Sequence, residues 1–352
     1  MDLYVLGGVQ RAERAATEEE WRLFERAVVG RVRPEAGECR PCASYDSPLE
    51  VRAGADSSVL FKSGAVAGER LYACTSTEVI VFRLPDFRRE AYLSLPFFND
   101  LHHVRPTPQG TLLVAVTGLD MVAEVTLAGE LVQSWSATGG DPWVRFSPAT
   151  DYRKVATLKP YRTHVNYVFS AQGAWWATRG DLGDAICLAD PRRRIELGVQ
   201  ECVHDGWARG GYLYFTAVDG RLIVVNEATL RVEETLVLAE MEAGGPRGYS
   251  WCRGVLPLDG NCAWVGFTRL RATRWREKLR WVKSKLAAVA QPTRLCRYDL
   301  ARRELTQEID LESGGMHAVF NALPAETLAA EELPAGSGGE PASVAARVPA
   351  AP

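Results

Sequence analysis

Histidine is scarce in this chain, and its placement follows a pattern. Four of the five histidines stand in short segments of one form: Leu101-His-His103-Val104, Arg162-Thr-His164-Val165, Cys202-Val-His204-Asp205 and Gly315-Met-His317-Ala318. A fifth segment, Ser250-Trp-Cys252-Arg253, puts a cysteine at the same place. His103, His164, His204 and Cys252 lie 14, 14, 12 and 16 residues before a threonine that closes an apolar run, and Lys62 lies 13 residues before another. His102 is the remaining histidine. Strand side chains alternate faces, so His102 and His103 cannot both join the set, and the spacing selects His103. Neutral imidazoles converging from several segments suit a transition ion, iron, copper or zinc, better than calcium, which wants oxygen. The expected ligands are His103, His164, His204 and His317, with Cys252 as a further donor. Without a metal, one histidine of the set can serve as a general base. Asp120, Asp181 and Asp205 are the candidate acid/base carboxylates, although aspartate in such positions also forms turns by bonding its own backbone. No glycine-rich phosphate loop opens a helix.

The elements that must position these residues repeat. Five apolar runs end in small residues and threonine: Leu71-Tyr-Ala-Cys-Thr75, Leu113-Val-Ala-Val-Thr117, Trp175-Trp-Ala-Thr178, Leu213-Tyr-Phe-Thr216 and Trp264-Val-Gly-Phe-Thr268. Their threonines are 42, 61, 38 and 52 residues apart, which is the length of a four-stranded repeat in two cases and of a repeat with an insertion in the others. Each run is followed by two more strand-like segments, as 121–127 and 130–135 follow Thr117, and each is preceded by a segment that carries the histidine register. The N-terminal segments, 3–6, 21–29 and 39–45, lack such an inner strand. Residues 317–323 supply it. The count is six four-stranded units, closed by strands from both termini, with no sheet edge left open.

Over residues 1–324 this organisation resembles the six-bladed bacterial β-propellers, which implies one all-β domain with the inner strands lining a central channel. That fold hosts lyases, hydrolases, sulfotransferases and plain binding scaffolds, so it does not choose a function. The histidine register is similar to that of the carotenoid-cleavage oxygenases, in which one histidine from each of four blades holds a ferrous iron on the channel axis. Those proteins have seven blades and longer chains, and their outer glutamates have no counterpart here.

Two insertions border the register. Residues 136–162 form a basic and aromatic crossover with Asp141, Trp143, Tyr152, Arg153, Lys154, Lys159, Tyr161 and Arg162, suited to an anionic or aromatic ligand. Residues 271–290 predict an amphipathic helix with Trp275, Leu279, Val282, Leu286 and Val289 on one stripe and seven Arg or Lys against one Glu. It is expected to pack as a lid or to touch an anionic membrane through Trp275, Leu279 and Trp281. Residues 325–352, rich in Ala, Pro, Glu and Gly, are expected to be a disordered tail. A net charge of −3 gives no electrostatic case for nucleic acid. The start of the chain lacks the pattern of an export signal, so a cytoplasmic protein with reduced cysteines is expected, possible peripheral membrane contact apart. The functional expectation is a propeller enzyme that converts a small molecule in its channel, dependent on a transition metal and of oxygenase or lyase type; the alternative is a non-catalytic propeller that binds a ligand or a protein.

Overall fold

A computed structural model describes residues 1–12, 20–243, 250–269 and 291–325. The expected helix of residues 271–290, with Trp275, Leu279 and Trp281, and the tail from residue 326 lie outside the described residues. Among those described, no helix is long and apolar enough to cross a membrane.

Among the described residues, twenty-four strands form six antiparallel four-stranded sheets arranged as the blades of a propeller. The first blade holds β1 (Leu3–Gln10), β2 (Phe24–Arg33) and β3 (Glu38–Tyr45). The second comprises β4 (Gly64–Ala67), β5 (Arg70–Cys74), β6 (Val79–Arg83) and β7 (Arg88–Leu93). The third has β8 (Leu101–Pro106), β9 (Leu112–Val116), β10 (Met121–Val125) and β11 (Leu131–Ser136). The fourth has β12 (Val165–Ala171), β13 (Ala174–Arg179), β14 (Asp184–Cys187) and β15 (Arg194–Glu196). In the fifth are β16 (Val203–Arg209), β17 (Tyr212–Ala217), β18 (Arg221–Asn226) and β19 (Arg231–Val237). The sixth contains β20 (Ser250–Leu258), β21 (Cys262–Arg269), β22 (Arg294–Asp299) and β23 (Glu304–Asp310). The last strand, β24 (Ala318–Pro324), returns to the first blade and pairs with β1, giving the order β24-β1-β2-β3. The expected closure by both termini is therefore present.

Composition explains the layering. A strand sandwiched between two neighbouring blades buries both faces and reads as a continuous apolar run, which is why β9 is Leu-Leu-Val-Ala-Val and wholly buried. Its residues split by parity: Leu112, Val114 and Val116 pack toward the second blade with Val79 and Val81, whereas Leu113 and Ala115 pack toward the fourth with Val168 and Ile186. Outermost strands face water, and β23 alternates accordingly, Glu-Leu-Thr-Gln-Glu-Ile-Asp.

The inner strands β4, β8, β12, β16, β20 and β24 stand side by side around the axis. Five of them break register with their partner strand. In β8, Leu101 pairs with Val116 and His103 with Ala115, so His102 is an extra residue; in β16, His204 is extra between Val203 and Asp205. In β20 the extra residue is Gly254, in β24 it is Phe320, and in β12 both Asn166 and Tyr167 oppose Thr178. A bulge bends its strand and re-aims a side chain. Strict alternation does not hold along these strands.

Candidate functional site

Where the inner strands begin, a cavity of about 230 Å³ opens at one end of the channel. Its floor carries residues that the bulges turn inward, His102, His204 and Phe320. One level above stand residues that immediately precede their strands, Asp100 before β8, His164 before β12 and Cys202 before β16. Asp100 and His164 hold the left-handed backbone conformation, at φ of 50° and 55°. That conformation swings each side chain away from the line of the strand that follows.

Each of the three cavity imidazoles is tied through Nδ1. His204 Nδ1 donates to Asp205 Oδ2 at 2.9 Å, and the same oxygen accepts the Gly254 N–H at 3.2 Å. His164 Nδ1 is 3.1 Å from Asp181 Oδ1 and 3.5 Å from Cys202 Sγ. His102 Nδ1 bonds Asn166 Oδ1. Because Asn166 Nδ2 donates to the Val203 carbonyl at 2.7 Å, its Oδ1 must be the acceptor, and His102 carries its proton on Nδ1. Nε2 of His164 and of His204 has no hydrogen-bond partner among the described residues.

Charge is arranged around these rings. Asp100 receives Lys62 and the Tyr161 hydroxyl, and its Oδ2 lies 3.5 Å from His102 Nε2. Burial alone would raise the Asp100 carboxyl, but Lys62 and then His102 hold it well below its ordinary value. Burial, with Arg253 adding to it, lowers His204 to about 4, so its ring is neutral near pH 7. His164 moves the other way: burial opposes its charge, yet the adjoining Cys202 sulfur and Asp181 outweigh it and raise the ring to about 10. Across the cavity, the Arg253 guanidinium lies 4.5 Å from the Trp251 ring centre and 4.1 Å from that of Phe320. The cavity wall holds five Arg or Lys against two Asp. Arg153, Lys159 and Tyr161, from the crossover expected to roof the channel, are among its lining residues.

The structure brings together His164, His204, Asp181 and, behind His204, Asp205. Other residues of the expected set lie elsewhere. His103 is replaced at the cavity by His102, because the bulge shifts the register: His103 is buried beside Tyr167, accepts the Val168 N–H at 3.3 Å and bonds the Gly64 carbonyl. It stitches three inner strands together, and burial first, then Arg105, lowers its ring to about 3. Cys252 sits in the apolar wedge with Val255, Phe267, Cys296 and Tyr298, where burial lifts its thiol well above the ordinary value. His317 precedes β24 but does not border the cavity; its N–H binds Gly8 and its carbonyl accepts Thr293 Oγ1. Asp120 is a positioning residue: it accepts the backbone N–H groups of Arg162, Thr163 and His164 at 3.0, 2.8 and 3.3 Å and pairs with Arg145 at 2.7 Å. Burial works against its charge, and those donors nevertheless hold its carboxyl below the ordinary value.

Asp100, Asn166 and Cys202 escaped the spacing argument. Alignment on the residue just before each inner strand, rather than on the histidines, brings Asp100, His164 and Cys202 into one column.

Comparison with known proteins supports the fold and nothing narrower. A protein of unknown function from Bacteroides caccae is similar over 92% of this chain and 99% of its own, with a TM-score of 0.58 and 12% identity. The chain is a six-bladed β-propeller. A chain of a nidogen/laminin complex is similar over 92% of this propeller and 98% of its own length, at a TM-score of 0.50 and 8% identity. Virginiamycin B lyase from Staphylococcus aureus is similar over 59% of this propeller and 66% of its own chain, with a TM-score of 0.40 and 10% identity, too low to bear on activity. No protein-family profile matches the propeller, and no curated protein matches it in sequence.

Proposed function

We propose that the protein is an enzyme that converts a small anionic molecule by proton transfer in the cavity at the head of its channel. The observation that carries this reading is His204. Its Nδ1 proton is committed to Asp205 at 2.9 Å, which fixes the tautomer and leaves a bare Nε2, buried and without a partner among the described residues, on a residue that lines the cavity. An imidazole oriented by a carboxylate through one nitrogen and bare at the other is the arrangement of a general base. His102, from the third blade, is likewise oriented through Nδ1, by Asn166, while its Nε2 lies 3.5 Å from Asp100 Oδ2. Lys62, Arg52 and Arg153 in the wall are paired with Asp100, Asp46 and Asp151, so the preference for an anion rests on Arg253 against its two aromatic faces, and a volume of about 230 Å³ limits the ligand's size. Abstraction of a proton beside a carboxylate or phosphate leads to elimination or isomerisation, so the lyase type is favoured over the oxygenase type.

One observation favours a second reading, a propeller that binds such an anion without converting it: Arg253 is held between two aromatic faces, a rigid recognition element that needs no chemistry.

The test is a thermal-shift screen of the full chain with small mono- and dicarboxylates, phosphate esters and, as counter-probes, small amines. Hits are then followed by proton NMR in deuterated water, in wild type and in His204→Gln. Anions that bind and exchange or lose a C–H proton only in the wild type support the enzyme. Anions that bind unchanged in both support the binding module. Preferential binding of the amines overturns both.

A further inference from the structure

We propose that His164, Asp181 and Cys202 form a binding site for a zinc-class divalent ion in the cavity wall. Among the described residues this is the one group of three His, Cys, Asp or Glu whose ligand atoms all lie within 4.8 Å of one another. Two of the three separations fit an ion. Donors at ordinary zinc distances in a tetrahedron lie roughly 3.4 Å apart for nitrogen and oxygen and roughly 3.6 Å for nitrogen and sulfur; His164 Nδ1 is 3.1 Å from Asp181 Oδ1 and 3.5 Å from Cys202 Sγ.

Nδ1 can carry one proton, and both a carboxylate oxygen and a sulfur face it. A cation between the three serves all of them at once. The mixed nitrogen, oxygen and sulfur set selects a borderline metal such as zinc and rejects magnesium and calcium, which take oxygen.

The fold also builds around the sulfur. Asn166 Nδ2 points an N–H at Cys202 Sγ from 3.4 Å, an outer donor to a thiolate. At Gly180, beside Asp181, a Cβ would fall 2.5 Å from Cys202 Sγ and 2.6 Å from Asn166 Nδ2, so only glycine lets the thiol approach. The Gly180 N–H is bound to the His164 carbonyl at 2.9 Å, which locks the turn carrying Asp181 to the residue carrying the imidazole. With three protein donors a tetrahedral ion keeps one position for solvent or substrate, the pattern of catalytic rather than structural zinc. An ion there supplies a Lewis acid to the same cavity that His204 lines.

The site shares its cavity with the acid–base reading but does not require turnover. A protein that binds metal and converts nothing keeps this proposal and loses that one, and the reverse holds equally. The experiment is titration of chelator-treated full-length protein with Co(II) and Zn(II), read by absorbance and by plasma mass spectrometry after desalting. One ion per chain is expected, with the intense thiolate-to-cobalt absorption. That absorption is lost in Cys202→Ser, and affinity falls at least about tenfold in Asp181→Asn, since even outer-shell changes cost that much. Cys42→Ser, which removes an exposed thiol elsewhere, leaves both unchanged. Asp181 is on a half-exposed turn, so its variant decides the matter should Cys202→Ser fold poorly. Absence of one-to-one binding at micromolar protein, or a thiolate band that survives Cys202→Ser, overturns the site.

Discussion

The two halves of the inner ring differ in chemistry. The half built by β8, β12 and β16 brings His102, His164, His204, Asp100 and Cys202 to the cavity, each imidazole steered through Nδ1 by a side chain behind it. The opposite half, from β20, β24 and the segment before β4, brings Trp251, Arg253, Phe320 and Lys62, aromatic faces and fixed positive charge. Equivalent inner strands thus carry reactive groups on one wall and recognition groups on the other. A near-symmetric fold acquires an asymmetric site because single residues at the bulge and just before the strand differ from blade to blade.

The sharpest way to break the contrast is to remove one wall's chemistry. His204→Gln is expected to lower turnover by about 10²–10⁴-fold while leaving anion binding in place, measured as kcat against ligand-induced Tm shift on whichever anion the screen identifies. If binding falls in step with turnover, the two walls are not separable. The next largest effect belongs to the other wall: Phe320→Ala truncates a buried aromatic, is expected to cost about 3–5 kcal/mol in urea unfolding, and should weaken anion binding by loosening Arg253. Gly180→Ala sharpens the reactive side alone. The new methyl meets Cys202 Sγ and the Val203 carbonyl, so a loss of roughly 1–3 kcal/mol is expected together with the cobalt–thiolate band, while the Arg253 wall is untouched.

A pH dependence contributed by His103, outside the cavity, leaves both walls in place. Its ring is lowered to about 3 in the folded protein, against an ordinary value of about 6.5. The unfolded chain therefore binds the proton first, and this stabilisation is fully present above about pH 6.5 and is lost progressively as pH falls toward 3. Urea midpoints in wild type should decline across that window, and those of His103→Gln should decline less steeply.

Much of the architecture was legible because it rests on local pattern. Apolar runs ending in threonine, turn residues between them and a missing inner strand at the N-terminus lead to six blades closed by residues 317–323, as found. The histidine register was read one residue out of place. His103 was chosen over His102 on the rule that strand side chains alternate, and a bulge breaks that rule without leaving a local mark, since neither Leu101-His-His-Val nor Val203-His-Asp contains glycine or proline. Asp205 was identified as an acid/base candidate and stands behind His204, whereas Cys252 shared the spacing, and His317 the form of its segment, without sharing the direction. Cys202 was passed over because its role depends on Asp181 and His164, which a different blade supplies.

The closing strand carries an implication for how the protein comes into being. β24 follows the other five blades in the chain yet belongs to the first blade, and it holds Phe320 against Arg253. On the ribosome, the reactive groups of blades three to five emerge after Lys62 but before Arg253 and Phe320. The contact between Phe320 and Arg253 therefore forms only after the imidazoles, thiol and carboxylates of blades three to five have been made, and the recognition wall is completed after the reactive one.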